Sequence, residues 1–227
     1  MLASPYKYIE LTKDTNEETG IRHYNTPDGE FLPSVTTILS QTKDPDEGTA
    51  LQDWIDRVGV RKAEQIRDEA GNRGTVMHRR LEWYVKGIEK RVGSNLVQQQ
   101  GSKMSKVIIE KGLQHMTEFW GSEISLWYPG LYAGSTDLVG VWKGKPAIID
   151  FKQANRLKTP EVILSYKTQL TAYALAHNEA YGTNIKTGVI LICTRDLEYQ
   201  EFVVEDAEFE EFTVKWLDRV GAYYNSI

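Results

Sequence analysis

Residues 134–152 read G-S-T-D-L-V-G-V-W-K-G-K-P-A-I-I-D-F-K. Two extended apolar runs flank the K-G-K-P turn, a pattern that predicts a hairpin between adjacent strands of one sheet. Asp137 belongs to the first run, and Asp150 and Lys152 share one face of the second. An acid and a lysine on an apolar strand are costly to bury unless something uses them. A structural ion pair at a strand end would also explain Asp150 and Lys152 taken alone.

The hairpin can bring Asp137 and Asp150 close enough to share a divalent cation. Carboxylate oxygens suit Mg²⁺ or Mn²⁺, which bind through a few carboxylates and keep further positions for water and phosphate. Lys152 beside such an ion could position the attacking water or offset the charge that develops on the phosphoryl group. The stretch therefore predicts a Mg²⁺ or Mn²⁺ site in which Asp137, Asp150 and Lys152 are catalytic.

The whole sequence has the composition of an ordinary soluble protein. Its 227 residues are 41% hydrophobic and 26% charged, which fits one domain with a sizeable core. No apolar run approaches the roughly 20 residues of a membrane span, and the N-terminus lacks the apolar core of a secretory signal. The single cysteine, Cys193, excludes an intrachain disulfide and a four-cysteine iron–sulfur cluster. We expect a cytoplasmic protein without membrane contact.

The net charge of −5 is unevenly distributed. Residues 196–211 contain eight acids and neither lysine nor arginine, so the rest of the chain carries +3. Residues 141–170 are rich in basic side chains: Lys143, Lys145, Lys152, Arg156, Lys158 and Lys167. This concentration predicts a phosphate-binding surface beside the site, although a solvated face explains any single one of them.

Upstream, the sequence predicts mainly helices. Residues 49–58 have an apolar stripe that includes Leu51 and Trp54. Residues 60–70 are predicted to be helical, residues 71–74 (G-N-R-G) to interrupt that helix, and Thr75–Lys86 to form another. On the last helix His78 and Glu82 share a face with core aliphatics. His78 is therefore either a satisfied core histidine or a metal ligand that Glu82 orients.

The remaining elements alternate in type. Residues 91–102 are predicted to be a loop, residues 103–120 a helix, and the sheet to begin at E-I-S-L-W-Y. Glu123, at that start, is interpreted as an edge charge rather than a ligand. Residues 160–181 predict a helix whose aromatic stripe contains Gln169, an amide that needs polar partners. Two strands and an amphipathic terminal helix follow, so the fold class is α/β, with a central mixed β-sheet flanked by helices.

Several polar and aromatic residues admit two interpretations. Ser34 lies at the start of a short predicted helix, where its hydroxyl caps the helix or meets a DNA phosphate; the cap is favoured. Trp54, Trp83 and Tyr84 are either core side chains or surfaces on which bases stack.

Four motifs together resemble the RecB-like branch of the PD-(D/E)xK nuclease superfamily. They are R-G-T-V-M-H at 73–78, G-S-T-D at 134–137, D-F-K at 150–152 and Q-L-T-A-Y at 169–173. A group of exonucleases in that branch also carries P-S-V-T before the first helix, as at 33–36 here, and a tryptophan helix, as at 51–57. The resemblance covers about residues 32–205.

The resemblance implies one nuclease domain over residues 1–227 with a restriction-endonuclease-like core. Residues 47–120 would form a helical wall or arch over an α/β catalytic core at 121–227. The implied roles are metal binding by His78, Asp137, Asp150 and the Phe151 carbonyl, catalysis by Lys152, support or DNA contact by Gln169 and Tyr173, and phosphate contact by Ser34 and Arg73.

The expected activity is that of a Mg²⁺- or Mn²⁺-dependent exonuclease on free single-stranded DNA ends, leaning to 5′→3′ polarity. We expect a monomer of bacterial or phage origin, acting in replication, recombination or repair beside proteins of those processes. The alternatives are a structure-specific or double-strand-end nuclease, and a catalytically inactive DNA-binding module. An unrelated α/β binding protein would keep His78, Asp137 and Asp150 far apart.

Overall fold

The computed structural model describes residues 2–43 and 49–226, and for residues 49–52 the backbone alone. The chain begins with a small antiparallel sheet of strands β1 (Thr12–Thr15), β2 (Arg22–Asn25) and β3 (Phe31–Pro33). Four helices follow: α1 (Val35–Gln41), α2 (Thr49–Val58), α3 (Val60–Val85) and α4 (Leu96–Lys111). The second half contains β4 (Met116–Tyr128), β5 (Tyr132–Trp142), β6 (Lys145–Ala154), α5 (Leu164–Tyr181), β7 (Thr187–Thr194), β8 (Tyr199–Val204) and α6 (Asp206–Asn225).

The second half forms a five-stranded mixed sheet in the order β4-β5-β6-β7-β8. Only β6 and β7 run parallel, because α5 connects them as a crossover; the other neighbours are antiparallel. The predicted α/β class, with a central mixed sheet flanked by helices, is confirmed.

Both faces of this sheet are covered, so its central strands are apolar on both sides. Ile148 packs on one face with Leu170 of α5 and Trp216 of α6. Ile149, the next residue on β6, packs on the other face with Met77 of α3 and Ile108 of α4. The side-chain period of a strand thus divides the core into two layers.

The predicted hairpin of β5 and β6 is present, and its turn fixes the register. Pairing runs from Trp142↔Lys145 to Leu138↔Ile149 and then stops. Beyond that point β5 continues along β4 as far as Tyr132, and β6 continues along β7 as far as Ala154. The sheet therefore splits between β5 and β6, and Asp137 and Asp150 are the next residues after the last pair.

The prediction of two helices on either side of residues 71–74 is wrong, since α3 runs without a break from Val60 to Val85. A Cβ on Gly74 would lie 3.2 Å from the Gln153 Cγ, so this glycine permits close packing of α3 on β6. Tertiary packing here overrides the low helix propensity of glycine.

The predicted loop over 91–102 and helix over 103–120 are also displaced. Asn95 caps α4, because its Oδ1 accepts the Gln98 N–H at 2.8 Å, and the helix ends at Lys111. Residues 116–120 belong to β4, where they extend the sheet. Gly101 inside α4 permits close contact with Val76 of α3, which explains a glycine within a helix.

Two further predictions concern the helical half of the chain. The apolar stripe predicted on α2 includes Leu51, whose side chain lies outside the described residues. None of the helices in the described ranges combines the length and apolar character that a membrane crossing requires.

Candidate metal and catalytic site

The split in the sheet creates the site. Because β5 no longer pairs with β6 here, a side chain replaces the backbone carbonyl as acceptor for the Phe151 N–H. The Asp137 Oδ2 accepts this N–H at 2.7 Å. A buried carboxylate held by a backbone donor is fixed in orientation and favoured in its charged form. The fork between β5 and β6 thus presents Asp137 as an anchored anion.

Two side chains from other elements join Asp137. His78 arrives from α3, with its Nδ1 3.2 Å from the Asp137 Oδ1. Glu123 arrives from β4, at the level of Asp137 between the pairs Ser122↔Leu138 and Ile124↔Thr136. One ligand atom from each of these three residues lies within 4.8 Å of the other two. Glu123, interpreted as an edge charge from the sequence, is therefore part of a possible metal-ligand group.

Asp150 belongs to a second, linked set. The Lys152 Nζ lies 2.9 Å from the Asp150 Oδ1 and 2.7 Å from its Oδ2. The same Nζ donates to the Gln169 Oε1 at 3.3 Å and lies 4.8 Å from the centre of the Tyr166 ring. The Gln169 Nε2 then donates to the Tyr173 hydroxyl at 3.1 Å. The glutamine in the aromatic stripe of α5 thus has the polar partners that its burial requires.

The charges of the site perturb one another. Burial would lower the pKa of His78, but the Asp137 carboxylate outweighs it and raises that pKa. Burial disfavours the charged form of Asp137, but His78 outweighs it and lowers the pKa of the carboxyl. For Asp150 burial prevails and raises the pKa, although Lys152 opposes it. Glu123 is exposed at the surface but partly shielded from water; this desolvation first, and then the Asp137 charge, raise its pKa to about 7.

The donor set fits a divalent ion. Ligands of Mg²⁺ lie about 2.1 Å from the ion, so two of them are at most roughly 4.2 Å apart. The spread of 4.8 Å among His78, Glu123 and Asp137 therefore requires only small side-chain movements. A cation would also relieve the repulsion between the Glu123 and Asp137 carboxylates that raises the pKa of Glu123. Carboxylates with one imidazole suit Mg²⁺ or Mn²⁺.

The other predicted site residues are placed as follows. Glu82 pairs with Lys86 at 2.6 Å, and the hydrogen-bond partner that the structure gives His78 is Asp137. Arg73 is buried under the end of β6, where its Nη2 donates to the Asn155 Oδ1 at 2.6 Å. The ring of Phe151 meets the His78 ring edge to face, 6.1 Å between centres.

Ser34 is 2% exposed and caps α1. Its hydroxyl accepts the Thr37 N–H at 3.0 Å and donates to the Thr37 Oγ1 at 2.9 Å. This is the capping role that the sequence favoured, and it leaves the hydroxyl buried.

The predicted basic surface is only partly present. Three of its lysines form ion pairs with the acid-rich segment: Lys143 with Glu201, Lys145 with Glu205 and Lys167 with Glu208. Among residues 2–43 and 49–226, Arg156 and Lys158 have no such pair, and both line a cavity next to the site.

The three candidate stacking residues differ in surroundings. Trp54 lines the same cavity as Arg156. The Arg80 guanidinium and the Lys90 ammonium lie 5.6 and 6.0 Å from the centre of the Trp83 ring. Tyr84 is 49% exposed, so it is not a core side chain.

Comparisons with known proteins show where similar sequences occur. Over 206 residues the chain is 27% identical to mitochondrial genome maintenance exonuclease 1 of Mus musculus and 24% identical to that of Homo sapiens. The match covers 85% of this chain and 59% of the mouse protein, or 58% of the human one, so the chain spans about three-fifths of these relatives.

No protein-family model matches the chain. A solved structure from Eubacterium rectale, described as a candidate exonuclease, is 12% identical, with a TM-score of 0.47; it covers 65% of this chain and 63% of its own. Homology to mitochondrial genome maintenance exonuclease 1 extends over most of this chain.

Proposed function

We propose that this protein is a divalent-metal-dependent nuclease that hydrolyses phosphodiester bonds at free ends of single-stranded DNA. One observation carries the proposal: the His78–Glu123–Asp137 group lies beside the Asp150–Lys152 pair at the split of a sheet. A structural ion pair would explain Asp150 and Lys152, but it would not explain a second acid, a third acid and a histidine at the same point. The sequence similarity to an exonuclease supports the same reaction class.

Each side chain has a distinct task in this proposal. Mg²⁺ or Mn²⁺, when bound, supplies a Lewis acid that polarises the scissile phosphodiester. His78, Glu123 and Asp137 would hold the ion, together with Asp150, which pairs with Lys152 in the structure. The Phe151 N–H fixes Asp137 in place before any ligand arrives.

Lys152 acts on the substrate. Its ammonium group orients the attacking water and stabilises the negative charge that develops on the phosphoryl oxygens. Gln169 holds the Nζ in place, and Tyr173 holds Gln169 in turn. Attack in line with the leaving oxygen yields a 5′-phosphate and a 3′-hydroxyl.

Preference for single strands, free ends and 5′→3′ polarity is part of the proposal. Attack at free ends is supported by the homology, which names an exonuclease. The single-strand preference and the 5′→3′ polarity follow the family resemblance, which allows either polarity and leans to 5′→3′. The α2–α4 helices, beside the split of the sheet, are proposed as the wall that selects which DNA enters.

The test is digestion of a single-stranded oligonucleotide, labelled at either end, with Mn²⁺. We expect Asp150→Ala and Lys152→Ala each to slow cleavage by about 10² or more. Lys13→Ala and Asp14→Ala, on exposed positions of β1, remove the same two charges away from the site and should leave the rate unchanged. Early release of the 5′ label and survival of circular single strands are expected for a 5′→3′ exonuclease.

Two results would contradict the proposal. Undiminished cleavage by the Lys152 variant would remove this lysine from the reaction. If the unaltered protein cleaved neither linear nor circular strands, with Mg²⁺ or with Mn²⁺, the nuclease assignment would fail.

A further inference from the structure

A groove adjoins the catalytic residues where β6 ends. Its volume is about 700 Å³, and it lies between helices α2 and α3 on one side and the turns after β6 and β7 on the other. Gln153 lines it and directly follows Lys152 on β6. Tyr166 lines it as well, and the same ring packs against the Lys152 Nζ. The groove is therefore continuous with the place where the scissile phosphate would lie.

The groove is strongly cationic. Arg57, Arg156, Lys158 and Arg195 line it, against the single acid Asp196. Arg195 lies 3.6 Å from Asp196, whereas within the described residues Arg57, Arg156 and Lys158 form no ion pair. Lys143 and Lys145, at the other end of β6, are instead paired with Glu201 and Glu205. Unpaired cations that converge on one concave surface are typical of an anion-binding site.

Polar atoms beside the groove also lack partners. In the described part of the chain the Gln153 Oε1 and the Arg73 Nε are buried and accept or donate no hydrogen bond. Arg73 is tied to Asn155 at the groove wall by its Nη2. Both atoms are enclosed, so a ligand in the groove would reach them only after a side-chain movement. It is the cationic lining of the groove that indicates an anionic ligand.

We propose that this groove binds a short run of single-stranded DNA next to the scissile phosphate. Arg57, Arg156 and Lys158 contact successive phosphates, and Trp54 provides a surface for a base. Cations that follow the backbone, together with an aromatic side chain, are the combination by which proteins bind single strands. The inference rests on the proposed function for its choice of ligand, and it adds a binding path that the catalytic motifs do not contain.

The experiment compares two double variants that remove the same charge. Arg156→Gln with Lys158→Gln removes two cations of the groove; the backbone N–H and carbonyl of Lys158, which pair with Gln200, are retained. Lys7→Gln with Lys13→Gln, at two exposed positions of the N-terminal segment away from the helical wall, is the matched control. Binding of a fluorescent single-stranded 12-mer is measured by anisotropy in EDTA over a range of salt concentrations.

The groove variant should bind about tenfold more weakly. The slope of log K against log salt concentration should become less negative by about 1.4, since each of the two lost phosphate contacts contributes about 0.7 on a single strand. Trp54→Ala should weaken binding by about tenfold with the salt slope unchanged, as expected for stacking. The control variant should match the unaltered protein. Equal losses in the two double variants, or no binding by the unaltered protein, would overturn the proposal.

A second readout separates this inference from the proposed function. Hydrolysis of bis(4-nitrophenyl) phosphate with Mn²⁺ needs the catalytic residues but does not reach along the groove. The groove variant should hydrolyse it at the unaltered rate, because Arg156 and Lys158 lie outside the catalytic set. If neither the ester nor DNA is cleaved but the variants bind DNA as expected, the nuclease assignment fails and the assignment of the groove as a DNA-binding site stands. If the groove variant loses ester hydrolysis together with DNA binding, the groove is not a separate binding path and the inference is overturned.

Discussion

At the scale of single residues, Glu123 is the most informative. It has a positive φ of 55°, a backbone conformation that non-glycine residues rarely adopt. Its carboxylate is directed to the level of Asp137, where the mutual repulsion helps to raise its pKa to about 7. Strain and like-charge repulsion at one residue are costs that persist at functional sites.

We therefore expect Glu123→Gln to weaken Mn²⁺ binding by about tenfold or more, because it removes an anionic ligand. The metal-free protein should not be destabilised, because the same change removes the repulsion from Asp137. Calorimetric titration with Mn²⁺ and thermal unfolding in EDTA measure the two effects. Glu179→Gln, an exposed acid on α5, is the control. An unchanged Mn²⁺ affinity would return Glu123 to the role of an edge charge.

At the scale of elements, glycines in the helices have different roles that only their surroundings distinguish. Gly71 in α3 has no atom within 4 Å of an added Cβ, and it is exposed. At Gly101 in α4, an added Cβ would lie 2.7 Å from Val76 of α3 and 3.0 Å from the Arg73 carbonyl oxygen. Replacement by alanine therefore has space at Gly71 of α3, whereas at Gly101 of α4 the added methyl group collides with α3.

Gly71→Ala is expected to raise the free energy of unfolding by about 0.5–1 kcal/mol, since alanine favours the helix and reduces the freedom of the unfolded chain. Gly101→Ala gains the same helix propensity, but we expect it to lower the free energy of unfolding by about 1–3 kcal/mol, because α3 and α4 must separate. Urea unfolding of both variants checks the pair. A destabilised Gly71 variant would indicate that α3 is interrupted at residues 71–74.

At the scale of the whole molecule, the acid-rich segment pairs with some of the basic side chains and not with others. The acids of residues 196–211 pair with Lys143, Lys145 and Lys167, while Arg156 and Lys158, beside the catalytic residues, have no ion pair within the described ranges. A protein with a net charge of −5 therefore presents a local cationic path.

The N-terminal segment is joined to α5 through a buried histidine. His177 is fully buried, with its Nε2 3.0 Å from the Tyr8 hydroxyl and its Nδ1 2.8 Å from the Thr183 hydroxyl. Rings of Tyr6 and Tyr181 complete its surroundings. Burial among uncharged groups lowers the pKa of His177 from 6.5 to about 4.

Because the folded state holds His177 neutral, its contribution to stability is complete above pH 6.5 and declines as the pH falls towards about 4. The full loss amounts to roughly 3 kcal/mol. The pKa values of Asp150 and Glu123 are raised in the folded state, so these two groups stabilise the folded state as the pH falls through the same interval. The measurement is therefore the difference in unfolding free energy between the unaltered protein and His177→Gln, which should shrink on acidification. A constant difference would contradict a buried neutral histidine.

The sequence by itself determines the local geometry of the site. The turn at residues 143–144 sets the register of the hairpin, which places Asp137 opposite Asp150. Counting back from the Tyr128↔Tyr132 end of the β4–β5 hairpin likewise places Glu123 opposite Asp137, so the sequence also contains the signal for this third acid. Register follows from turn length and the period of two, so it needs no distant contact.

The tertiary structure alone decides which distant groups meet at that hairpin. His78 reaches Asp137 because Gly74 lets α3 lie close on β6, and α3 remains one helix because it packs there. The sequence could count the lysines, but only the fold shows that Glu201, Glu205 and Glu208 pair with three of them, whereas Arg156 and Lys158 have no ion pair among the described residues. Such contacts join residues far apart in the chain, and their energy comes from packing and charge proximity, which local patterns do not encode.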